Sequence, residues 1–544
     1  MGYEQISGMT DFHFVDWSGG KVAAKNRRDT PGAFFTTGNV PQSLINAFVD
    51  CQHVVWYGGN LRKWFGYDAV NTTAANTGAA GLGIGAADWR AELTHFGIWG
   101  NKFYEVASNG ALTDRSGANV VDTSQAYCIK THIQGTNRYV IAGNGVQMWR
   151  WNGGGNNIAA LGGTPFCYQS FDYYGDRWWG VKNADSWNLI YASDFTDPES
   201  NWNASSQVII PVKDTPYGCI NVGSWLAVLC RNSIASFQGY GESSFSKDEQ
   251  VVQIGSSAHR TLSRGQCFDP NYGWVDGFFF VSWQGPIFVS DAKRVYKLGL
   301  GIFDEWNETD GLNKDLLNLA CGVYVPQWKQ YVFAVPWGAD LGCTRLYAVD
   351  VSSPMVVSDQ ITYPIWPMPS IVGSSNYVTD LQVVRDTTET EWLYMQDSSG
   401  YHYKFDPDLA HYDPKNVNAG IESHGQSKVY DLGTTYEMRE PIMMAKASGD
   451  WNVATFFKFD DESGDGTYGN TNLASDADVL TTSFTLGSST LGGKTYVHDV
   501  IEGITGWGQL LQYKFQNYTK DQSFSIEELI LWMKALRKAS KRTL

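Results

Sequence analysis

The strongest constraint on the fold is a pattern of paired short strands that recurs along most of the chain. Each segment has an apolar strand, a turn rich in Gly, Asn or Asp, and a second strand that carries an aromatic residue, which is typical of a β-hairpin. Eight such segments occur, at residues 53–64, 95–106, 138–151, 179–193, 224–237, 278–291, 331–350 and 392–406. The aromatic residues after the turns stand 40 to 59 residues apart, at Trp64, Tyr104, Trp149, Tyr191, Phe237, Phe288, Tyr347 and Tyr403.

This spacing predicts an all-β fold built as a β-propeller. Four-stranded propeller blades repeat every ~40 to 50 residues, and one blade cannot bury both faces until its neighbours stack against it in a ring. The 27 Phe, 22 Trp and 29 Tyr residues suit such faces, and the 57 Gly residues suit many tight turns. We predict six to eight blades. The alternative is a multi-sheet β-sandwich, which has hairpins at a similar density.

The pattern divides the chain into three regions. Residues 46–410 hold the hairpin segments and are predicted to form the propeller, within which the small residues of 71–88 predict a flexible surface loop. Residues 1–45 carry a basic cluster at 21–28 and are either an extended arm or a solvated loop. Residues 411–544 are predicted to form a C-terminal antiparallel β-sandwich, or platform, with a basic tail. Its last segment, 523–538, fits either a helix or a strand.

The charge of the chain argues against a protein that grips nucleic acid. The formal net charge is −16, from 56 acidic and 40 basic residues, whereas phosphate binding needs clustered Lys and Arg. No run approaches the ~20 apolar residues that cross a bilayer, and the first residues lack the pattern of a secretory signal. The eight cysteines stand singly, which predicts buried thiols made in a reducing compartment.

Motifs for catalysis or cofactor binding have little support. Gly81, Gly83 and Gly85 resemble a phosphate loop only superficially, because no Lys-Ser or Lys-Thr and no helix pattern follow them. The histidines form no metal-binding motif, and no nucleophile motif occurs. The carboxylates between Asp460 and Asp465 favour a solvated turn over a calcium loop, although cation binding there stays open. We therefore predict no catalytic, cofactor or metal residue, and no enzyme.

Several longer strings resemble one family. They are TNRYVIAGNGVQMWRWNGG, WGVKNADSWNLIYASDFTDPESNW, GPIFVSDAKRVYKLG and the C-terminal SFSIEELILWMKALRKASKR. In the second string, one set of residues occurs in the order of the cadence W-x-N-x-I-Y-x-S-D-x-x-D-P-x-x-W, with one residue fewer between Trp and Asn and one more between Pro and the last Trp: Trp187, Asn188, Ile190, Tyr191, Ser193, Asp194, Asp197, Pro198 and Trp202. Together these strings resemble the propeller hub, or nozzle, proteins of short-tailed bacteriophages, over roughly residues 46 to 544. The N-terminal region does not obviously match.

The resemblance implies a structural protein of the virion tail that is made in the cytoplasm of a bacterial host. It implies a homohexameric ring, or nozzle, beneath the portal and adaptor proteins. Such a ring continues the channel for genomic DNA, retains the genome and supports tail fibres or spikes. A group of C-terminal basic residues is expected at a contact between subunits or with the portal and adaptor: Lys534, Arg537, Lys538, Lys541 and Arg542.

The negative charge fits this expectation, because a conduit lined with carboxylates repels the phosphate backbone and lets DNA slide. We expect acidic residues to concentrate on the lumen face of the ring. Two other function classes stay open. Exposed Trp and Tyr side chains also stack on sugar rings, which suits a carbohydrate-binding or glycan-degrading propeller. A cytoplasmic interaction hub would share the same fold.

Overall fold

The computed structural model describes residues 10–14 and 48–536 apart from short gaps, and strands dominate its regular structure. The gaps are residues 58–59, 65, 72, 89–92, 108, 135–136, 154, 163–166, 183–188, 194–206, 210–213, 240–245, 299–301, 303–305, 309, 358–359, 370–375, 386–389, 407–420, 428–429, 447–450, 461–465, 475–495, 502–503 and 520–521. Five short strands come first: β1 (Thr10–Phe14), β2 (Phe48–Gln52), β3 (Val54–Tyr57), β4 (Asn60–Lys63) and β5 (Gly66–Ala69).

Five four-stranded antiparallel sheets follow, each paired in chain order, and they are units one to five. Unit one is β6 (Gly81–Asp88), β7 (Leu93–Trp99), β8 (Lys102–Val106) and β9 (Leu112–Asp114). Unit two is β10 (Cys128–Gln134), β11 (Asn137–Gly143), β12 (Met148–Trp151) and β13 (Ala159–Ala160). Unit three is β14 (Tyr168–Tyr174), β15 (Arg177–Lys182), β16 (Leu189–Ala192) and β17 (Gln207–Ile209). Unit four is β18 (Pro216–Asn221), β19 (Leu226–Cys230), β20 (Ile234–Gln238) and β21 (Ser246–Val252). Unit five is β22 (Ser263–Asp269), β23 (Gly273–Ser282), β24 (Gly285–Ser290) and β25 (Val295–Lys297).

Two further units lie in one eight-stranded sheet, and among the described residues the pairing of Cys343 with Val378 joins them. Unit six is β26 (Cys321–Val325), β27 (Gln330–Pro336), β28 (Cys343–Asp350) and β31 (Ile365–Met368), with the small hairpin β29 (Met355–Val357) and β30 (Gln360–Thr362) between its last two strands. Unit seven is β32 (Val378–Arg385), β33 (Glu391–Asp397) and β34 (His402–Asp406), completed by β5 from the N-terminal side of the ring. Short 3-10 turns occur at Ala75–Gly78, His259–Thr261 and Lys314–Leu319.

The seven units form a closed ring, which confirms the predicted β-propeller. The first strand of each unit contacts the first strand of the next, and β32 of unit seven contacts β6 of unit one. Strand β5 pairs with β34 at the opposite edge of unit seven, so the two ends of the repeat are held in the same sheet. Such closure removes the problem of unpaired strands at the ends of the array.

Flat aromatic side chains pack unit against unit, as the sequence predicted. Between units five and six, the ring centroid of Phe279 lies 5.4 Å from that of Tyr324 and 4.8 Å from that of Tyr331, with interplanar angles of 14° and 13°. The stack continues inside unit six through Phe333 to Tyr347. All five rings are buried. Stacked aromatic pairs add to the free energy gained from burying their area.

Two sequence expectations differ from the structure. The first hairpin segment, 53–64, is not a blade, because β3 and β4 pair with each other and β4 pairs with the C-terminal strand of the platform. Residues 81–88 are not a flexible loop but β6, the inner strand of unit one. Small residues occur there because neighbouring side chains lie close to the backbone of β6. A Cβ atom on Gly83 would lie 2.8 Å from Ile129, and one on Gly85 would lie 2.5 Å from the ring of Phe96.

The platform is a single eleven-stranded sheet that contains both C-terminal and N-terminal strands. Its C-terminal strands are β35 (Ser423–Ser427), β36 (Tyr430–Lys446), β37 (Asn452–Phe459), β38 (Thr467–Asn472), β39 (Tyr496–Val500), β40 (Thr505–Asn517) and β41 (Ser525–Ala535). The last segment is therefore a strand. Strand β1 pairs with β41, and β2 pairs with β35, so strands from residues 10–14 and 48–63 belong to this sheet. The predicted division at residue 46 consequently does not follow the sheet pairing, whereas all the described strands after residue 411 belong to the platform sheet.

The platform and the last two units share one continuous hydrophobic core. Buried residues of the platform, such as Leu61, Phe515 and Met533, belong to the same cluster as Leu346 of unit six and Met395 of unit seven. Trp64, which follows β4, and Tyr67 of β5 lie in that cluster as well. The segment that leads from the platform into the ring is thus buried between them.

The closing strand provides a test of this arrangement. Tyr67 is fully buried, with its ring centroid 5.1 Å from those of Tyr403 and Phe405. We expect Tyr67→Ala to lower the free energy of unfolding by about 3 to 5 kcal/mol, because a large buried ring is lost and a cavity remains. Equilibrium unfolding in urea, followed by circular dichroism, measures the change.

The control is Tyr272→Ala, which removes an exposed tyrosine of unit five and should change the free energy of unfolding by about 0.5 kcal/mol or less. Equal effects of the two substitutions would contradict a closing role for β5.

Candidate functional site

The candidate site is the central channel of the ring, together with the seam where units seven and one meet. The channel encloses about 470 Å³ and is lined by the inner strands of all seven units. Five charged side chains line it: Lys130, Asp172, Arg260, Arg264 and Asp380. Three are cations and two are anions, so the propeller channel itself is not acidic.

The first ion pair ties three parts of the ring together. Arg260 lies on the short turn that precedes unit five, and its Nη2 is 2.8 Å from Asp380 Oδ1 on β32. The same nitrogen donates to the carbonyl oxygen of Thr379 at 2.5 Å. Asp380 Oδ2 accepts a hydrogen bond of 2.9 Å from the backbone N–H of Ile84 in unit one. Burial opposes the charged form of Arg260, but the Asp380 carboxylate outweighs it, so the pKa of Arg260 is raised.

A second ion pair spans units two, three and four. Lys130 Nζ on β10 lies 3.5 Å from Asp172 Oδ1 on β14. Asp172 Oδ2 accepts a hydrogen bond of 2.8 Å from the backbone N–H of Asn221 on β18. Burial of Lys130 lowers its pKa, while Asp172 raises it by more, and the net shift is upward. Each carboxylate of the channel thus pairs with a cation and accepts a hydrogen bond from a backbone N–H, an arrangement that holds inner strands in place.

The seam between units seven and one is built around Gln396. Its side chain is fully buried on β33 and bridges to two strands of unit one. Nε2 donates to the carbonyl oxygen of Ile98 at 3.0 Å, and Oε1 accepts from the N–H of Gly83 at 3.0 Å. A Cβ atom on Gly81 would lie 2.3 Å from the Gln396 side chain, so a glycine is required for this approach. The glycines at every second position of β6 therefore serve close packing.

Two histidines lie at the same seam. His402 of unit seven is buried, and its ring packs 4.9 Å from Tyr394, 6.4 Å from Trp99 and 6.5 Å from His95 of unit one. Neither ring nitrogen of His402 has a hydrogen-bond partner within the described part of the chain. Burial lowers the pKa of His402 to about 3, and burial with the nearby Lys404 lowers the pKa of His95 to about 4. Both rings are therefore neutral near pH 7.

The structure places only one of the predicted contact residues. Lys534 is exposed near the end of β41, opposite Glu437 of β36. Arg537, Lys538, Lys541 and Arg542 lie outside the described residues, as do the basic cluster at 21–28 and most of the acidic loop. Asp460, at the edge of that loop, accepts hydrogen bonds from the backbone N–H groups of Gln509 and Leu510. No cluster of metal-ligating side chains occurs among the described residues, and no helix among them is long and apolar enough to span a membrane.

Sequence reasoning missed the residues of the channel and the seam. Arg260, Asp380 and Gln396 occur in no motif, and they meet only after the ring has closed. One signal was present, because Gly81, Gly83 and Gly85 fall on the same face of a strand and mark a close backbone approach.

The cysteines followed expectation more closely. Six of the eight are buried, and burial raises the pKa of Cys230 to about 12.

Comparison with known proteins gives no family for this chain. No protein-family model matches it, and no curated protein matches it. Among solved structures, it is similar to virginiamycin B lyase from Staphylococcus aureus, at 12% identity over 63% of this chain and 99% of that one, with a TM-score of 0.39. It is similar to the WD40 repeats of RRP9, at 6% identity over 65% and 99%, with a TM-score of 0.37. It is also similar to the extracellular domain of a putative hybrid two-component system from B. thetaiotaomicron, at 10% identity and a TM-score of 0.40, covering 75% of this chain but only 47% of that one.

The channel ion pair can be tested against an exposed pair of the same unit. We expect Asp380→Asn to lower the free energy of unfolding by about 3 to 5 kcal/mol, because Arg260 would be left buried without its counter-ion. In Arg385→Ala, the exposed partner of Glu391 is removed, and the loss should be about 1 kcal/mol or less. Urea unfolding measures both. Similar losses in the two variants would contradict a locking role for the channel pair.

The seam histidines make stability depend on pH. Because the folded-state pKa of His402 is lowered from 6.5 to about 3, its contribution is fully present above pH 6.5 and is lost as the pH falls below it. The unfolded chain then binds a proton that the folded chain excludes. In His402→Phe, which keeps an aromatic ring, we expect the free energy of unfolding to fall less steeply between pH 6 and pH 4, by about 1.4 kcal/mol per pH unit. Urea unfolding at a series of pH values measures the slope, and an unchanged slope would contradict neutral burial of His402.

Proposed function

We propose that this chain is a structural protein of a bacteriophage tail that forms a nozzle ring below the portal and adaptor proteins. The ring continues the channel for genomic DNA, retains the genome and carries tail fibres or spikes. The sequence strings described above support this proposal, and the charged groups of the propeller channel agree with a role that is not enzymatic. The two channel carboxylates, Asp172 and Asp380, are engaged by cations and backbone N–H groups.

The observation that carries the proposal is a row of side chains across the platform that is exposed at both ends. Trp507, Glu437 and Lys534 are direct cross-strand neighbours on β40, β36 and β41, so they lie on one face of the sheet. Trp507 is 67% exposed, and Arg439 on the same strand as Glu437 donates to its carboxylate at 2.8 Å. A rigid sheet face with an exposed Trp and an Arg has the composition of a protein interface.

The occupant we propose for this face is a second copy of the chain. Both signs of charge occur within the row, so two copies in a ring can pair Lys534 or Arg439 of one with an acidic group of the next. The chain carries 56 acidic residues, so a neighbouring copy can supply an acidic group for this pairing. Contact through the platform leaves the DNA conduit between the copies, where we place the acidic lumen. The propeller's own channel is too small and too cationic for that purpose.

Measurement of the mass of the purified full chain tests this proposal. We expect the unmodified chain to form a closed ring of identical copies, seen by native mass spectrometry and by light scattering. Trp507→Ala and Lys534→Glu should each weaken association at least tenfold, which corresponds to about 1.4 kcal/mol. The control is Tyr468→Ala, which removes an exposed aromatic residue from β38 of the same platform and should leave the ring intact.

A chain that stays monomeric at all concentrations and does not bind portal or adaptor proteins would contradict the proposal. Release of reducing ends from a panel of polysaccharides would contradict it too, and would favour the glycan-degrading alternative. Binding of a glycan without cleavage would be compatible with a tail component.

A further inference from the structure

A cleft beside unit five contains Trp274, one of the exposed tryptophans. Ten tryptophans of the described residues are buried, whereas Trp274 is 39% exposed at the start of β23. Its ring is fixed from one side by Phe268, whose centroid lies 5.6 Å away at an interplanar angle of 73°. The two residues are paired across the β22–β23 hairpin, and Gly273 enters that strand with a φ of 75°. The exposed indole is therefore held in a fixed orientation.

Charged and polar side chains surround this indole. The cleft measures about 440 Å³ and lies between the β22–β23 hairpin and the turn that joins β26 to β27 of unit six. Lys329 of that turn places its Nζ 5.2 Å from the centroid of the Trp274 ring. Arg264 lines both the cleft and the central channel, so the two spaces adjoin. Gln266 and Asp276 also line the cleft, with Gln266 Nε2 donating to Asp276 Oδ1 at 3.1 Å.

The chemistry of these groups defines a ligand. The flat, exposed indole has an apolar face with a negative electrostatic potential. Such a face packs against the C–H groups of a sugar ring. The Gln266 amide can donate a hydrogen bond to a sugar hydroxyl group, and the Asp276 carboxylate can accept one. Arg264 and Lys329 are two cations in a chain whose net charge is −16. Arg264 lines the cleft, and Lys329 Nζ lies over the indole ring. They suit a carboxylate on the ligand.

We propose that the cleft at Trp274 binds an acidic saccharide, with a sugar ring on the indole and its carboxylate between Arg264 and Lys329. The volume suits two or three sugar units. The cleft contains one carboxylate, Asp276, whereas the usual hydrolysis of a glycosidic bond uses two, so the site binds the saccharide and does not cleave it. This inference goes beyond the nozzle proposal and stands without it, because it concerns a surface of the propeller that is separate from the platform.

Isothermal titration calorimetry on the full chain tests the inference, with trigalacturonic acid as the probe. Maltotriose is the neutral control of the same length, and hexaglutamate is the acidic control without a sugar ring. We expect trigalacturonic acid to bind and the two controls to bind at least tenfold more weakly. Binding should also weaken as the salt concentration rises, because two cations contribute to it.

Three variants locate the site. Trp274→Ala and Lys329→Asn should each reduce affinity for trigalacturonic acid at least tenfold, where Asn is chosen because Lys329 has a φ of 54° and Asn tolerates that conformation. Trp283→Ala is the matched control, since it removes another exposed tryptophan of unit five outside the cleft, and it should leave affinity unchanged. Thermal unfolding of each variant shows that the fold persists.

Absence of binding to trigalacturonic acid would overturn the inference, as would equal binding of hexaglutamate or maltotriose. An equal loss of affinity in Trp283→Ala would overturn the location. None of these results depends on whether the chain forms a ring of copies, so failure here and failure of the nozzle proposal are distinguishable.

Discussion

Closure of the propeller ring is the constraint on which the rest of the structure depends. A row of stacked sheets leaves an apolar face at each end unless the last sheet meets the first. Unit seven has three strands of its own, and β5 supplies the fourth from the other end of the repeat. Because β5 follows directly after β2, β3 and β4, the chain cannot close the ring without bringing these strands to units six and seven. The shared core of platform and propeller follows from that connection.

The polar groups at the centre serve the same closure. Gln396 bridges to two strands of unit one, and the pair of Arg260 and Asp380 joins the turn before unit five to units seven and one. A buried ion pair and a buried amide are tolerated only when their hydrogen bonds are satisfied, which fixes the positions of the strands that supply them. The polar groups inside the ring therefore hold its strands in position. The surfaces for which we propose a function are the platform face at Trp507 and the cleft at Trp274.

The periodic part of the fold could be predicted from the sequence, and the parts set by long-range pairing could not. Hairpins with an aromatic residue after the turn recur at blade spacing, so the propeller and its aromatic packing were predictable. The segment 53–64 has the same local pattern, but its partner is Ile526 of β41, which no local pattern reveals. Residues 81–88 suggested a loop because glycine is rare in strands. The glycines are explained by the close approach of Gln396, Ile129 and Phe96 to this strand in the folded ring. The charged residues of the channel are likewise far apart in the chain.

The most direct test of ring closure is hydrogen exchange of the full chain, followed by mass spectrometry of its peptides. If β5 completes unit seven, the amides of residues 66–69 and 402–406 should exchange as slowly as those of β19, which lies inside unit four, because all of them open only with the ring. Rapid exchange of residues 66–69, at the rate of an unstructured peptide and with β19 still protected, would contradict closure by this strand.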